Sequence, residues 1–444
     1  MIKVRFAPSP TGFLHLGNGR AAIFNYLFAK ANNGKFVLRI DDTDTERSKP
    51  EYEDGIYEDL TWLNIKYDEK YKQSERKDLY IREFNKLVEK GIVYPCYETK
   101  EELEIMRNYQ LQNKKPPVYN RKALTLTEEE KREFESRGIT PHWRFKLNRR
   151  KIQFTDLIHE SIKFDLGSVS DPVVRKADGN FTYTFASCVD DINTGISHII
   201  RGDDHISNTA SQIEIFKALN PDSAIQFGHY PLINFEQSGK MSKRFGDLSI
   251  KNFRDQGLEP ETVITFLAKI GTSDPLTTCF DFETLVSEFN LAKISKSGPK
   301  IFLKDMFLLN RKFLSSLDFF SANKRYNIES EEVWNLIKEN VDTPKDIDNW
   351  KDILKDDFVG MKVDTNFMKK VYEIISSTVK NEDWYDAFIQ NVRNEFQNTL
   401  STKEIFTNLR LMVTDLENGP HFADILKFLG FDETKSRIEK LLNM

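Results

Sequence analysis

Two short stretches of this chain carry side chains suited to phosphate chemistry. Lys240-Met241-Ser242-Lys243-Arg244 sets three cations on one short segment, with Gly239 before it to let that segment move. Far upstream, Ala7-Pro8-Ser9-Pro10-Thr11-Gly12-Phe13-Leu14-His15-Leu16-Gly17-Asn18 sets His15 and Asn18 behind a proline- and glycine-rich turn. Cations and N–H donors stabilise the charge that builds on phosphate oxygens as a leaving group departs. A helix that starts at His15 adds backbone N–H groups and a favourable dipole for anions. Gly17 is expected to leave room for a ligand against the backbone.

A second constellation suits carboxylates. Arg5 and Arg201 each carry a planar guanidinium that can bind a carboxylate through two hydrogen bonds. Ser9 and Asp41 can accept from an ammonium, and Tyr183 can donate a hydroxyl. Arg201 precedes Asp203 and Asp204, so an ion pair at a strand end is the plainer use of that arginine. Tyr183 has a plainer use too, in ordinary sheet packing.

The elements that must position these groups begin with Lys3–Phe6, an alternating strand that ends at Pro8-Ser9-Pro10. Ala21, Phe24, Leu27 and Phe28 recur at helical spacing from Gly17 to Asn32. Gly34–Ile40 reads as the next strand and closes on Asp41-Asp42-Thr43-Asp44. Strand, loop, helix and strand in this order open a doubly wound, Rossmann-like α/β sheet, where ligands sit beyond the carboxyl ends of the strands. If the sheet has that form, Arg5 and Arg201 converge.

Residues 76–176 interrupt the pattern and read as an inserted α+β domain between catalytic halves at 1–75 and 177–247. Phe181–Val189 and Ser197–Ile200 read as returning strands, and Ser211–Ala218 as a helix. Beyond Gly257 the chain turns helical, with Val263, Phe266, Leu267 and Ile270 on one stripe. Segments 248–315 and 316–444 read as two all-α domains. In the last, Ser401-Thr402-Lys403-Glu404 is a capping-box pattern, Gly419-Pro420 breaks a helix, and Gly430 stops the next.

Composition narrows the classes. With 444 residues, 34 of them Phe, the chain has enough apolar material for several packed domains and is not globally disordered. Met1–Phe6 is too short and too charged for a signal peptide, and no apolar run is long enough to span a bilayer. Cys96, Cys188 and Cys279 are scattered, as in reduced cytosolic proteins. A cytoplasmic enzyme without membrane contact is expected. The net charge is −5, yet Lys114–Lys151 holds twelve Lys/Arg against five Glu, enough for a local face toward a phosphate backbone.

His15–Asn18 and Lys240–Arg244 resemble the HIGH and KMSKS signatures of class I aminoacyl-tRNA synthetases. The flanking sequence resembles bacterial glutamyl-tRNA synthetases, through Asp178-Gly179 to Asp190-Asp191, Arg201-Gly202-Asp203-Asp204-His205 and Gly419-Pro420 to Leu429. The resemblance implies ligation of L-glutamate to tRNA(Glu) through a glutamyl-adenylate, with ATP as substrate and Mg²⁺ accompanying it. It implies ATP contacts from Pro8, Ser9, His15, Gly17, Asn18, Asp204, Met241 and Lys243, with His15, Lys240 and Lys243 catalytic. Arg5 resembles the ligand of the α-carboxylate and Arg201 that of the side-chain carboxylate, with Ser9, Asp41, Tyr183 and Ser187 completing the glutamate pocket. By the same resemblance the inserted segment holds the acceptor end, tRNA assists activation, the helical C-terminal region reads the anticodon, and the enzyme acts as a monomer.

Three departures from the family pattern bear on detail. Asn18 stands for the second His of the usual signature, Asp41 for a frequent Glu, and Ser187 for an Asn of some members. Cys96 lies where some relatives have a Cys-x-Cys knuckle, but no second Cys precedes Cys188, so no zinc is expected. No carboxylate pair marks the Mg²⁺ ligands. A nondiscriminating or tRNA(Gln)-preferring glutamyl enzyme is the near alternative. A small-metabolite adenylyltransferase lacks a use for the paired arginines, and an inactive tRNA-binding protein would be expected to lose His15 or Lys243.

Overall fold

The computed structural model describes residues 1–44, 46–235, 248–276, 280–355 and 358–444. Contacts divide the chain into one unit of residues 1–255 with 263–302 and another of 256–262 with 303–444.

In the first unit, β1 (Lys3–Phe6), β2 (Lys35–Ile40) and β3 (Glu69–Lys72) run parallel in the order β1-β2-β3. Phe36, Val37, Leu38 and Ile40 are fully buried, which is why β2 reads as a continuous apolar run rather than an alternating one. Between β1 and β2 the chain forms α1 (Leu16–Ala31), a helix buried on most sides. Its Gly19 is where another helix crosses: a Cβ there would lie 2.8 Å from Ile250 Cδ1. Helix α2 (Pro50–Trp62) links β2 to β3, and α3 (Lys77–Glu89) follows β3.

The second sheet has the order β7-β6-β10-β9, built from β6 (Lys151–Asp156), β7 (Glu160–Asp165), β9 (His198–Gly202) and β10 (Gln226–Tyr230). β6, β10 and β9 are parallel, and β7 folds back against β6. The two sheets meet at β1 and β9, where Ser197 N donates to Lys3 O (2.9 Å) and Lys3 N to Ser197 Oγ (2.8 Å). Strand order reverses there, giving the switch point of a doubly wound fold, with Arg5 and Arg201 on the two strands that flank it.

Two sequence expectations change. The stretch Phe181–Val189 is helical: α6 spans Tyr183–Asn193. Phe181-Thr182-Tyr183-Thr184-Phe185 alternates apolar and polar residues of aromatic and β-branched types, which imitates a strand, although Thr184, Ser187 and Asp191 recur at helical spacing. The β6–β7 hairpin, inside the range read as an insertion, extends the second sheet through β10. What stands apart is an antiparallel sheet of β4 (Val93–Cys96), β5 (His142–Phe145) and β8 (Val173–Arg175), with α4 (Lys100–Gln112) and α5 (Glu128–Ser136). Both helices start with capping boxes, Thr99 with Glu102 and Thr127 with Glu130.

Helix α7 (Ile206–Leu219) follows the turn after β9 and covers the expected Ser211–Ala218 helix. The second unit is helical. Ser401 and Glu404 form the expected capping box before helix Thr402–Thr414. Gly430 has φ 77° and ψ 169°, which breaks the final Phe422–Asn443 segment where the sequence placed a stop. Arg437 is fully buried and ties that segment to neighbours by donating to Val413 O (2.9 Å) and Lys355 O (2.8 Å).

Candidate active site

The loop between β1 and α1 ends on His15, which caps the helix. Its Nδ1 accepts from Gly17 N at 2.9 Å, so Nδ1 carries no proton and Nε2 is the N–H of the ring. Gly17 does serve close approach, though to His15: a Cβ at position 17 would sit 2.7 Å from the imidazole Cε1. Leu16 N donates to Leu248 O (3.0 Å), and Ile250 N to Leu14 O (2.7 Å). The backbone on either side of His15 is therefore bonded to the stretch that begins four residues after Arg244. Lys240, Met241, Ser242, Lys243 and Arg244 lie outside the described residues.

A cleft of about 220 Å³ opens above the switch point. Of the residues singled out in the sequence, Arg5, Pro8, His15, Gly17, Asn18, Tyr183, Arg201 and Asp204 line it. Ser9, Asp41 and Ser187 are not among its lining. Ser9 is exposed on the β1–α1 loop, and the other two are buried behind the wall.

Behind Arg5 lies an ionic cluster. Arg39, fully buried on β2, donates from Nε and Nη2 to the two oxygens of Asp41 (2.6 and 3.2 Å) and from Nη1 to Asp191 Oδ1 (2.7 Å). Arg5 Nε shares that Asp191 oxygen at 3.3 Å. Burial pushes the Asp41 carboxyl up to about 6 against the pull of Arg39. Asp190 is held by Gln73 (2.9 Å), Arg76 (2.7 Å) and Tyr80 (2.8 Å). The sequence signal for this cluster is the adjacent pair Asp190-Asp191, which α6 carries back beneath β1 and β2.

Arg201 is different. It is 6% exposed, and burial lowers its pKa. Among the described residues every hydrogen-bond partner of its guanidinium is a neutral oxygen: Tyr183 Oη (3.2 Å), Thr209 Oγ1 (2.5 Å) and Gln212 Oε1 (2.6 Å). Among the described residues its Nε has no partner. Asp203 and Asp204 turn away into the next helical turn, so the strand-end ion pair does not form. A desolvated cation without a carboxylate is costly unless an anion completes it. Tyr183 accepts from Arg201 and keeps its own proton for a further oxygen.

Arg20, missed in the sequence, also lines the cleft. It donates to Pro231 O (3.0 Å) and Ile270 O (2.7 Å), with Phe24 4.7 Å beneath its guanidinium. His205 closes one side. Burial, then the Arg201 charge, pushes it down to about 4, so it is neutral at pH 7.

The catalytic-domain family model for class I tRNA synthetases (E and Q) matches residues 1–307, and the anticodon binding domain model matches residues 311–442. The chain belongs to the class I tRNA synthetases of the glutamate and glutamine type. Glutamate–tRNA ligase 1 of Maricaulis maris is 41% identical over 443 residues, covering 99% of each chain. The protein of that name from Wolbachia pipientis is 39% identical, covering 98% of each. Among solved structures, a glutamate tRNA ligase from Elizabethkingia meningosepticum matches with TM-score 0.78 and 28% identity, covering 100% of this chain and 99% of that one. The Elizabethkingia anophelis glutamate-tRNA synthetase has the same TM-score at 29% identity, covering 100% of both chains.

Two further sequence expectations can be placed on this synthetase. The basic run Lys114–Lys151 is partly internal: Arg121 grips Asp171 with two hydrogen bonds (2.7 and 2.8 Å) and the buried Arg144 lies 4.5 Å over Tyr119, while the exposed Arg150 pairs with Glu214 (3.0 Å). Cys96, Glu98 and His142 bring one donor atom each within 4.8 Å of one another. Burial raises the Cys96 thiol to about 12 and lowers His142 to about 4. No helix of the described residues is long and apolar enough to cross a membrane.

Proposed function

We propose that this synthetase joins L-glutamate to tRNA(Glu) in two steps. An oxygen of the substrate α-carboxylate attacks the α-phosphorus of ATP and pyrophosphate leaves, forming the glutamyl-adenylate. A ribose hydroxyl at the tRNA 3′ end then attacks the activated carbonyl, and AMP leaves. The observation that carries the choice of an acidic amino acid is the buried Arg201, surrounded by neutral oxygens and facing the cleft that Arg5 also lines.

In this reading Arg201 takes the side-chain carboxylate, Tyr183 donates to it, and Arg5 takes the α-carboxylate. His15 Nε2–H and the first turn of α1, with Asn18, meet the phosphates. Lys240 and Lys243 supply positive charge as pyrophosphate departs, and Met241 and Pro8 seat the nucleotide. Asp41 acts from behind the wall through Arg39, Ser187 through Gln212, and Ser9 approaches the ammonium from its loop.

Mg²⁺ enters on the ATP phosphates and keeps most of its ligands from phosphate and water, so it needs few protein carboxylates. Asp204 is the carboxylate on the cleft wall. We assign no zinc role to Cys96: among the described residues it gathers Glu98 and His142 alone, three donors where a structural zinc site takes four. The helical unit reads the anticodon, and the enzyme works as a cytoplasmic monomer. Light scattering checks the monomer, and cell fractionation checks the compartment.

Charging purified tRNA(Glu) and tRNA(Gln) separately with labelled glutamate, ATP and Mg²⁺ tests the function. Charging of tRNA(Glu) supports it. Charging of tRNA(Gln) as well, or in its place, keeps the chemistry and requires a downstream amidation, whereas charging of neither overturns the reading.

A further inference from the structure

Arg201 owes its orientation to a polar chain that ends at the β6–β7 hairpin. Asp156, Thr209, Gln212 and His229 are all at most 2% exposed, so water does not satisfy them. The Asp156 Oδ1 accepts from the N–H groups of Ile158 (2.9 Å), His159 (2.9 Å) and His229 (3.3 Å). Its Oδ2 lies 2.6 Å from His229 Nδ1. Burial opposes the charge on Asp156, but these donors outweigh it and hold the carboxyl below its usual range. An ionised carboxylate only accepts, so Nδ1 carries the His229 proton.

Burial lowers the His229 pKa, which keeps the ring neutral and leaves Nε2 as an acceptor. Thr209 Oγ1 is 2.8 Å from that Nε2, closer than the His205 carbonyl at 3.2 Å. The hydroxyl proton therefore points at His229, and the oxygen lone pairs face Arg201 Nη2. A parallel relay sets Gln212: Ser187 Oγ donates to Tyr183 O (2.7 Å) and accepts from Gln212 Nε2 (3.0 Å), which turns the Gln212 oxygen toward the same Nη2.

We infer that Asp156, His229 and Thr209 are positioning residues for substrate selection: they fix the guanidinium of Arg201 in the carboxylate-binding pose without neutralising it. A carboxylate placed directly on Arg201 would orient it equally well but would compete with the substrate. A neutral hydroxyl with its proton tied elsewhere avoids that competition. The inference rests on the proposed glutamate reading.

The test is pyrophosphate exchange or charging, whichever the wild type supports with glutamate, in the full-length enzyme. Thr209→Val is expected to raise KM for glutamate about tenfold, the effect of one hydrogen bond to a charged group. Its kcat and KM for ATP should stay within about threefold, and Thr209→Ser should restore the glutamate KM. Asp156→Asn should also raise the glutamate KM, and adding it to Thr209→Val should produce no further rise. An unchanged glutamate KM in Thr209→Val overturns the inference. So does full additivity, because Asp156 then acts only on its hairpin turn. A wild type inactive with glutamate would instead sink the functional reading beneath it.

Discussion

Arg39 holds Asp41 with two hydrogen bonds, Nε to Oδ1 at 2.6 Å and Nη2 to Oδ2 at 3.2 Å, at the carboxyl end of β2. The pair is buried and shares its cluster with Asp191, which also receives Arg5. Asp41 is thus a structural counterion first. Asp41→Ala leaves a buried guanidinium with less negative charge and should lower unfolding free energy by about 3 kcal/mol. Denaturant melts check this, and a variant of wild-type stability with a weakened glutamate KM would move Asp41 into direct substrate contact.

Arg201→Gln removes the cation that waits for an anion. The glutamate kcat/KM should fall roughly a hundredfold or more, since a bidentate charged pair is lost. The KM for ATP should stay within a few fold. Steady-state exchange with each substrate varied in turn separates the two effects, and an unchanged glutamate response would rule out this role.

Gly17→Ala places a methyl group 2.7 Å from the His15 ring. The ring must swing out of its bond to Gly17 N, and adenylate formation should fall between about ten- and a hundredfold, as expected for a misplaced catalytic group. Thermal stability should change little. Equal losses in stability and rate would point to a damaged helix start instead.

Lys243→Ala should reduce adenylate formation by roughly 10²–10³, the loss typical of one transition-state donor. Affinity for tRNA, measured by filter binding, should stay within a few fold. Near-normal pyrophosphate exchange would remove Lys243 from the chemistry.

Asp59 is buried, among the described residues neither of its carboxylate oxygens is hydrogen-bonded, and Arg254 Nη1 lies 3.3 Å away. Burial raises its carboxyl to about 7, against about 3.9 for the unfolded chain. The folded state therefore keeps a proton that the unfolded state releases between pH 4 and 7, and this group's contribution to stability falls as pH rises through that window. Asp59→Asn should remove that decline, so its advantage over wild type should grow from pH 5 to pH 8 in paired melts. His142 and His205, both pushed down to about 4, act in the opposite sense. Their contribution is complete above pH 6.5 and falls as pH drops toward 4, in the variant as in the wild type.

Local features are legible in the sequence wherever a few neighbouring residues dictate the geometry. The β1–α1–β2 opening follows from a short strand, a turn and an apolar helix period. The Ser401–Glu404 box caps its helix because the bonds join positions three apart. Gly430 breaks the last helix because its backbone adopts a positive φ at little steric cost. The helix α6 is hidden because residues 181–185 alternate apolar and polar side chains as a strand does, and its polar positions Ser187, Asp190 and Asp191 are buried rather than facing water.

What no local pattern discloses is which distant groups meet. Asp203 and Asp204 follow Arg201 closely, yet the turn after β9 leads them away and leaves neutral partners around the guanidinium. Asp156 reaches His229 across 73 residues because β6 joins β10, a pairing set by burial and sheet order. Residue types therefore settled the chemistry available to this chain. The burial, orientation and partners of Arg201 depended on long-range packing, where desolvation and strand order choose among contacts that the sequence leaves equally open.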